Sequence, residues 1–360
     1  MSPDIKKIVK KLHEAKDAYY NLEEIMSDDE YDKLEEQLRV LDPENSYFKK
    51  VGAKVVGKDK IKHKIPMLST DKVKTKEEAE KWLEKINCKD ILIEMKIDGL
   101  SQTCKYIDGK LQYLATRGDG HVGENKSYLS DYLKIPKTID LMGEIEIRGE
   151  IVLFKDSFPS LRRNLAVGIV NKKEGFEEDA KKLKFITYQI VGSSFKTEID
   201  KLKWLKNNGF IVVEYKLTNG IEEINDYYNE YNKKIRDDLK YDSDGMVLIV
   251  NNSLLHDKIN SKYTIEKTNK YNLAWKPPSK SKVSVLKWID WQVSRFGNLS
   301  PIAILDPVEI DGRIVTKASL SNYENVLRMK LEQGDELEVE VANDVIPYIK
   351  KNKTKDINQR

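Results

Sequence analysis

Two short stretches of the chain combine residue types that can do covalent chemistry. Glu94-Met95-Lys96-Ile97-Asp98-Gly99 sets a lysine between two carboxylates, and Thr116-Arg117-Gly118-Asp119-Gly120 sets an arginine beside two glycines. Between them lies Asp108-Gly109, flanked by apolar-rich runs, which is a strong hairpin signal. A strand is therefore expected to deliver Lys96, and a return strand Arg117. A free lysine amine, with a pKa of about 10.4, is mostly protonated at neutral pH. Cationic neighbours or a metal favour its neutral, nucleophilic form. Arg117 can be such a neighbour and can grip a phosphate with its planar fork. Gly118 and Gly120 let backbone N–H groups approach an anion closely. A lysine nucleophile beside a phosphate cradle points to covalent nucleotidyl transfer. A surface hairpin with solvated charges is the alternative; Lys-x-Asp-Gly alone does not exclude it, and the paired stretches weigh against it.

These residues need elements to hold them. From Gly143 to Leu153 the chain alternates, with Glu144, Glu146, Arg148 and Glu150 on one side, which predicts a strand whose charged face is turned to solvent unless it serves a site. Phe185-Ile186-Thr187-Tyr188 reads as a buried strand, and Asp242-Ser243-Asp244-Gly245 as a turn feeding the strand Met246–Val250. Near the start, Ile5, Ile8, Val9, Leu12 and Ala15 recur at helical spacing. A second helix opens on a Ser27/Glu30 capping box, carries Tyr31, Leu34, Leu38 and Leu41 on one face, and stops at Pro43. Thr75 and Glu78 form another capping box, ahead of a helix with Ala79, Trp82, Leu83 and Ile86 as its buried stripe. His63 reads as a surface histidine. From about Val283, short alternating strands with turns such as Asp311-Gly312 predict a small barrel.

Composition narrows the classes. The 360 residues suffice for two or three modest domains. Lys+Arg is 63 against Asp+Glu 60, a net of +3, so any nucleic-acid surface must be local. Only Cys88 and Cys104 occur, which excludes a disulfide framework and a four-cysteine zinc module and suits buried thiols in a reducing compartment. No apolar run approaches the roughly 18 residues of a membrane span, and the N-terminus has no apolar signal core. A soluble intracellular protein without membrane contact is expected.

Glu-x-Lys-x-Asp-Gly, a hairpin, then Thr-Arg-Gly-Asp-Gly-x-x-Gly-Glu resembles the adenylation site of bacterial-type NAD-dependent DNA ligases. The resemblance implies that Lys96 carries AMP, that Glu94 orients adenosine, and that Asp98 contacts ribose and acts as acid/base or orients Lys96. Arg117, Glu150 and Lys276 would complete the clamp, Glu150 also contacting ribose and helping to organise metal. The stretch His63 to Thr70 resembles the family's segment along the adenosine pocket, with Ser69 as a polar contact. Tyr188 matches an aromatic that stacks on adenine, a core tyrosine being the alternative. Tyr19-Tyr20 and the following Ser-Asp-x-Glu-Tyr-Asp resemble the family's small domain for the nicotinamide mononucleotide (NMN) half of NAD. By position Tyr19, Tyr20, Asp28, Tyr31 and Asp32 would bind it, aromatics stacking on the cationic ring and carboxylates taking its charge and hydroxyls. That domain is the reason to expect NAD rather than ATP. Arg163-Asn164 resembles an Arg-Asn turn of the family. The run Trp291 to Gly297, together with Asp344-Val345-Ile346-Pro347, resembles its OB-fold domain. Arg163, Arg295 and Lys317 are then the candidate DNA contacts.

The chain departs from the family in three places. Asn171, followed by Lys172 and Lys173, stands where another arginine is usual. Ile249 stands where a phosphate-contacting lysine is usual, with Lys258 and Lys262 downstream. Val341 stands where a DNA-facing arginine is usual, with Lys350, Lys351, Lys353 and Lys355 following.

The expected fold is α+β: a helical NMN-binding hairpin over 1–60, a mixed α/β nucleotidyltransferase core over 61–280, an OB-fold β-barrel over 281–352 and a basic tail over 353–360. The expected activity is ligation of 5′-phosphate/3′-hydroxyl nicks in duplex DNA through lysyl-AMP, in DNA replication and repair. NAD and Mg2+ are the expected cofactors, with no protein residues assigned as metal ligands. The alternatives are an adenylating subunit that ligates only with a partner chain, and a catalytically impaired nick-binding protein. The family's zinc-finger, helix–hairpin–helix and BRCT domains have no counterpart in these residues. A natural minimal enzyme, a chain completed by a second ligase chain and a truncated chain all remain open. A cytoplasmic monomer is otherwise expected.

Overall fold

The computed structural model describes residues 3–20, 28–42, 45, 47, 59–158, 162–172, 174–262, 268–277, 281–293, 299–310, 313–342 and 346–358. Two compact units emerge: Glu44–Pro277, and the segments Met1–Pro43 with Pro278–Arg360. The helices are α1 (Pro3–Tyr20), α2 (Asp28–Leu41), α3 (Lys76–Ile86), α4 (Arg162–Asn171), α5 (Glu177–Ala180), α6 (Glu198–Asn207), α7 (Ile221–Glu230), α8 (Arg236–Asp238), α9 (His256–Asn260) and α10 (Tyr323–Met329). Among the described residues no helix is long and apolar enough to cross a membrane.

The larger unit is built on two five-stranded sheets. The first runs β10-β3-β11-β12-β2, from β2 (Ser69–Val73), β3 (Asp90–Ile97), β10 (Tyr215–Asn219), β11 (Ser243–Val250) and β12 (Thr268–Trp275). The second runs β5-β4-β7-β8-β9, from β4 (Leu100–Ile107), β5 (Lys110–Thr116), β7 (Glu144–Leu153), β8 (Leu183–Val191) and β9 (Ile211–Val212). A small ladder pairs β1 (Lys60–Lys62) with β6 (Val122–Glu124). The central strand β3 is buried continuously from Ile91 to Met95, which reflects a sheet covered on both faces. On one side Trp275 of β12 stacks on Tyr228 of α7, ring centroids 3.8 Å apart and 10° from parallel. Helix α3 starts on the expected Thr75/Glu78 capping box and ends on Asn87 in the left-handed conformation.

The hairpin at Asp108-Gly109 forms, with both residues at positive φ, 45° and 77°, as a tight primed turn requires. Its strands are β4 and β5, so the expectation that the same hairpin carries Lys96 is corrected: Lys96 lies on β3, in the other sheet. The chain changes sheet at Asp98-Gly99. A side chain at Gly99 would stand 2.7 Å from the Ile151 carbonyl oxygen, so only glycine permits the crossing this close to β7. Beyond Glu144, which is exposed, the charged side of β7 is not solvent-facing. Glu146 and Arg148 are 2% and 6% exposed and pair with each other at 2.8 Å, with Lys105 of β4 3.6 Å from Glu146.

The C-terminal segment is a barrel. Strands β13 (Ser281–Val293), β14 (Leu299–Ile310), β15 (Arg313–Ser319), β16 (Glu336–Ala342) and β17 (Ile346–Asn352) pair in the order β15-β14-β13-β16-β17. A parallel contact between β15 and β17 closes it. Leu286, Leu305, Val339 and Ile349 fill the interior, and Met329 of α10 packs on the same cluster. Residues 353–358 do not extend as a basic tail. They turn into β18 (Ile357–Asn358), which pairs with β17. The lysines there find acids brought close by the fold: Lys353 lies 3.3 Å from Glu338, and Lys355 lies 3.1 Å from Glu332 and 3.3 Å from Asp335.

Strand β7 tolerates no side chain at Gly149, where a Cβ would meet the Ile186 carbonyl oxygen at 2.3 Å and the Phe185 ring at 2.9 Å. Gly149→Ala should therefore destabilise the protein by about 1–3 kcal/mol in urea unfolding, the usual cost of overpacking. An unchanged midpoint and slope would contradict this packing.

Candidate active site

Strand β3 ends at the chemistry. The Lys96 ammonium lies 2.9 Å from Asp244 Oδ1 and 3.2 Å from Oδ2. The Lys276 ammonium, just past β12, lies 2.9 Å from Asp244 Oδ2. One carboxylate thus bridges two lysines from different strands. Asp244 reaches them because it is the extra residue of a β-bulge: Ser243 pairs with Ile97 and Gly245 with Lys96, leaving Asp244 unpaired. Burial pushes the Asp244 carboxyl up, but Lys276 and Lys96 more than reverse that and hold it below the usual carboxylate range.

Two further carboxyls are shifted the other way. Burial raises Asp98, Arg163 opposes the shift and the like charge of Asp244 adds to it. The Arg163 guanidinium sits 3.3 Å from Asp98 Oδ1, and it also donates to the Gly99 carbonyl at 3.3 Å. Burial pushes Glu150 on β7 up to about 7, against the charges of Lys96, Arg117 and Arg163. Tyr188 Oη stands 3.3 Å from Ser101 Oγ and 3.5 Å from Glu150 Oε1. Carboxyls that titrate near neutrality suit proton transfer. Lys96, Asp98, Arg117, Glu150, Arg163, Tyr188 and Lys276 are thus brought into one electrostatic neighbourhood.

The arginine turn is held by the segment that precedes it in sequence. Arg117 donates from Nε to the Met67 carbonyl at 3.0 Å and from Nη2 to Ser69 Oγ at 2.7 Å. Asp119 accepts the His121 and Val122 amides at 2.9 and 2.8 Å and so shapes the turn, with Gly118 and Gly120 at φ 57° and 85°. His63, expected at the surface, is buried. Its Nε2 lies 3.1 Å from both the Thr116 and Arg117 carbonyls, and burial holds its pKa below the usual imidazole range. Arg148 donates to the Ile65 and Pro66 carbonyls at 2.7 and 3.2 Å.

Glu94 occupies β3 one turn of the pleat before Lys96. It is 3% exposed, its Oε1 has no hydrogen-bond partner among the described residues, and burial, reinforced by Glu198, raises it well above the usual range. A buried carboxyl oxygen left without a donor is what the polar edge of a bound base would satisfy. Ile249 is buried on β11, opposite Leu92 and Asn272. Lys172 is bound to the Gly175 carbonyl at 2.7 Å rather than aimed at this site.

Two other expected residues belong to the second compact unit. Lys317 is exposed on β15 and Tyr31 lies on α2. The side chains of Tyr19, Tyr20, Asp28 and Asp32, and the whole of Arg295 and Lys173, lie outside the described residues. Among the described residues no three His, Cys, Asp or Glu side chains gather as a metal cage. Sequence reading passed over Asp244. Its signal was present as an Asp-Gly pair before a strand, but it read as turn chemistry.

The raised Glu150 sets a stability test. A carboxyl whose folded pKa exceeds its unfolded value of about 4.5 favours the folded state at low pH and loses that contribution as pH climbs towards 7. Glu150→Gln should therefore gain stability relative to the parent between pH 4.5 and 7, by at most about 3 kcal/mol. A difference in unfolding free energy that stays flat across that window would contradict the shift.

Residues 58–280 match the family model described as the NAD-dependent DNA ligase adenylation domain, and residues 283–359 match the NAD-dependent DNA ligase OB-fold domain. A protein of Clostridium acetobutylicum named DNA ligase 1 is 30% identical over 96% of this chain and 57% of its own length. DNA ligases of Wolbachia pipientis and Rickettsia bellii are 35% and 36% identical, over 91% and 92% of this chain and 52% and 53% of theirs. The chain thus spans about half the length of the curated relatives it matches. With both domain models matched in order along the chain, this protein belongs to the NAD-dependent DNA ligase family.

Proposed function

We propose that this chain adenylates itself on Lys96 with NAD and passes the AMP to the 5′-phosphate of a nick in duplex DNA, which it then seals. The observation that carries the reading is the Asp244 carboxylate bridging Lys96 and Lys276, inside the segment that matches the adenylation domain. The Lys96 amine would form a bond to the adenylyl phosphorus as the bond to NMN breaks. Asp98, raised by burial, is suited to take the proton that the amine must lose. Lys276 and Arg117 would face the non-bridging oxygens, where charge builds in the transition state. Glu94 would accept from the base edge, and Tyr188 and Ser69 would line the nucleoside. In the second step the 5′-phosphate oxygen displaces Lys96, and in the third the 3′-hydroxyl displaces AMP.

Mg2+ would neutralise phosphate charge. It is usually held by one or two carboxylates plus substrate phosphates rather than by a protein cage, and Glu150 would help to organise it. The barrel, with Arg295 and Lys317, would grip the duplex beside the nick, and Arg163 would reach the phosphates from α4. The helices α1 and α2, with Tyr19, Tyr20, Asp28, Tyr31 and Asp32, would take the NMN half. On the same reading the NMN-binding domain would span 1–60, the nucleotidyltransferase core 61–280 and the OB-fold domain 281–352.

Sealing of a labelled nicked duplex tests this. With Mg2+ the chain should join the strands with NAD and not with ATP, and Lys96→Ala should reduce joining below detection. Joining with ATP alone would overturn the assignment of α1 and α2. Adenylation without joining would assign the chain to the adenylating half of a two-chain ligase. Nick binding without adenylation would assign it to a binding role, in line with Ile249.

A further inference from the structure

We propose that Arg162 and Asp242 form a positioning pair that fixes the Asp244 carboxylate between Lys96 and Lys276. The inference rests on the reading of Lys96 as the adenylated residue. Arg162 donates two nearly parallel hydrogen bonds to Asp242, Nε to Oδ2 at 2.7 Å and Nη2 to Oδ1 at 2.6 Å. Its remaining nitrogen donates to the Phe158 carbonyl at 2.7 Å, which sets the plane of the guanidinium. Both side chains are largely buried, 12% and 18% exposed. A fork-to-fork pair of this kind constrains direction as well as distance.

What it constrains is the entry to the bulge. A bulged residue has no ladder bonds of its own, so its aim depends on its neighbours. Ser243, on one side of the carboxylate's backbone, is braced three ways. Arg236 Nε donates to its carbonyl at 3.0 Å, its hydroxyl meets Tyr231 Oη at 2.9 Å, and the same hydroxyl donates to the Gly245 carbonyl at 3.0 Å. Asp242, one residue earlier, is braced by Arg162. The Asp242 carbonyl also accepts the Asp98 amide at 2.9 Å, and Asp98 pairs with Arg163, the next residue on α4. Asp98, Arg163, Arg162 and Asp242 therefore close a ring. Two consecutive arginines of one helix hold the end of β3 and the start of β11 in register, and the site's acids move only if that ring opens.

The test is single-turnover formation of the Lys96 adenylate by the full chain, with Mg2+ and NAD at a range of concentrations. Asp242→Asn removes one acceptor of the fork, and Arg162→Lys keeps the charge but not the planar donor pair. Each should lower the maximal rate by about 10- to 100-fold while the half-saturating NAD concentration changes by less than about threefold, the signature of misplaced groups rather than lost binding. Asp242→Glu, which keeps both acceptor oxygens, should recover most of the rate. Parental rates in both variants would overturn the proposal. So would losses that follow the folded fraction or appear as weaker NAD saturation. If Asp242→Asn does not fold, Arg162→Lys gives the same reading alone. Absence of adenylate in the parent chain would be a different failure: it would remove the functional reading itself and this inference with it.

Discussion

The Asp244 carboxylate between two lysines is the interaction on which the core of this protein depends. Two ammonium groups brought to one place repel, and a shared, ionised carboxylate is what makes that placement stable. Removing one partner of a buried ion pair generally costs about 3–5 kcal/mol, because the charge left behind has neither water nor counter-ion. The surrounding structure reflects that demand. Two antiparallel strands, β3 and β11, supply the backbone, a bulge supplies the aim, and β12 supplies the second lysine as it leaves the sheet. The site is thus made from distant parts of the chain, held by sheet register rather than by a loop.

A second constraint acts on the arginine turn. Arg117 is fixed by two groups, the Met67 carbonyl and the hydroxyl of Ser69 at the start of β2. The stretch before β2 is in turn fastened by His63 and Arg148 through backbone carbonyls. These bonds order the stretch from His63 to Met67 ahead of β2. The result is a cation whose direction is set by the protein itself, the arrangement in which preorganised charge is most effective.

Much of this was legible in the sequence, and the parts that were not share a cause. Lys96, Asp98, Arg117 and Glu150 stand out because their signals are local: a lysine between acids, an arginine among glycines, an alternating strand. The capping box at Thr75 and the turn at Asp108-Gly109 are local too, and both formed. Asp244 escaped because its role comes from a bulge, and a bulge exists only once two remote strands are in register. Glu146 and Arg148 read as a solvent-facing charged side of a strand; their burial follows from pairing with each other and with Lys105 on the neighbouring strand β4, which alternation does not reveal. His63 reads as a surface residue for a similar reason: its partners are carbonyls, which leave no mark in the sequence. The lysines near the C-terminus looked like a free basic tail because the acids that bind them lie on the turn after α10 and on β16.

The most direct measurement is where AMP attaches. The purified chain, cleared of any bound adenylate, is incubated with Mg2+ and NAD, weighed intact, then cleaved and mapped. A mass increment of one AMP confined to the peptide that carries Lys96 is the expected result. An adduct on another residue, or no adduct at any NAD concentration, would contradict the assignment of Lys96 as the nucleophile of this site.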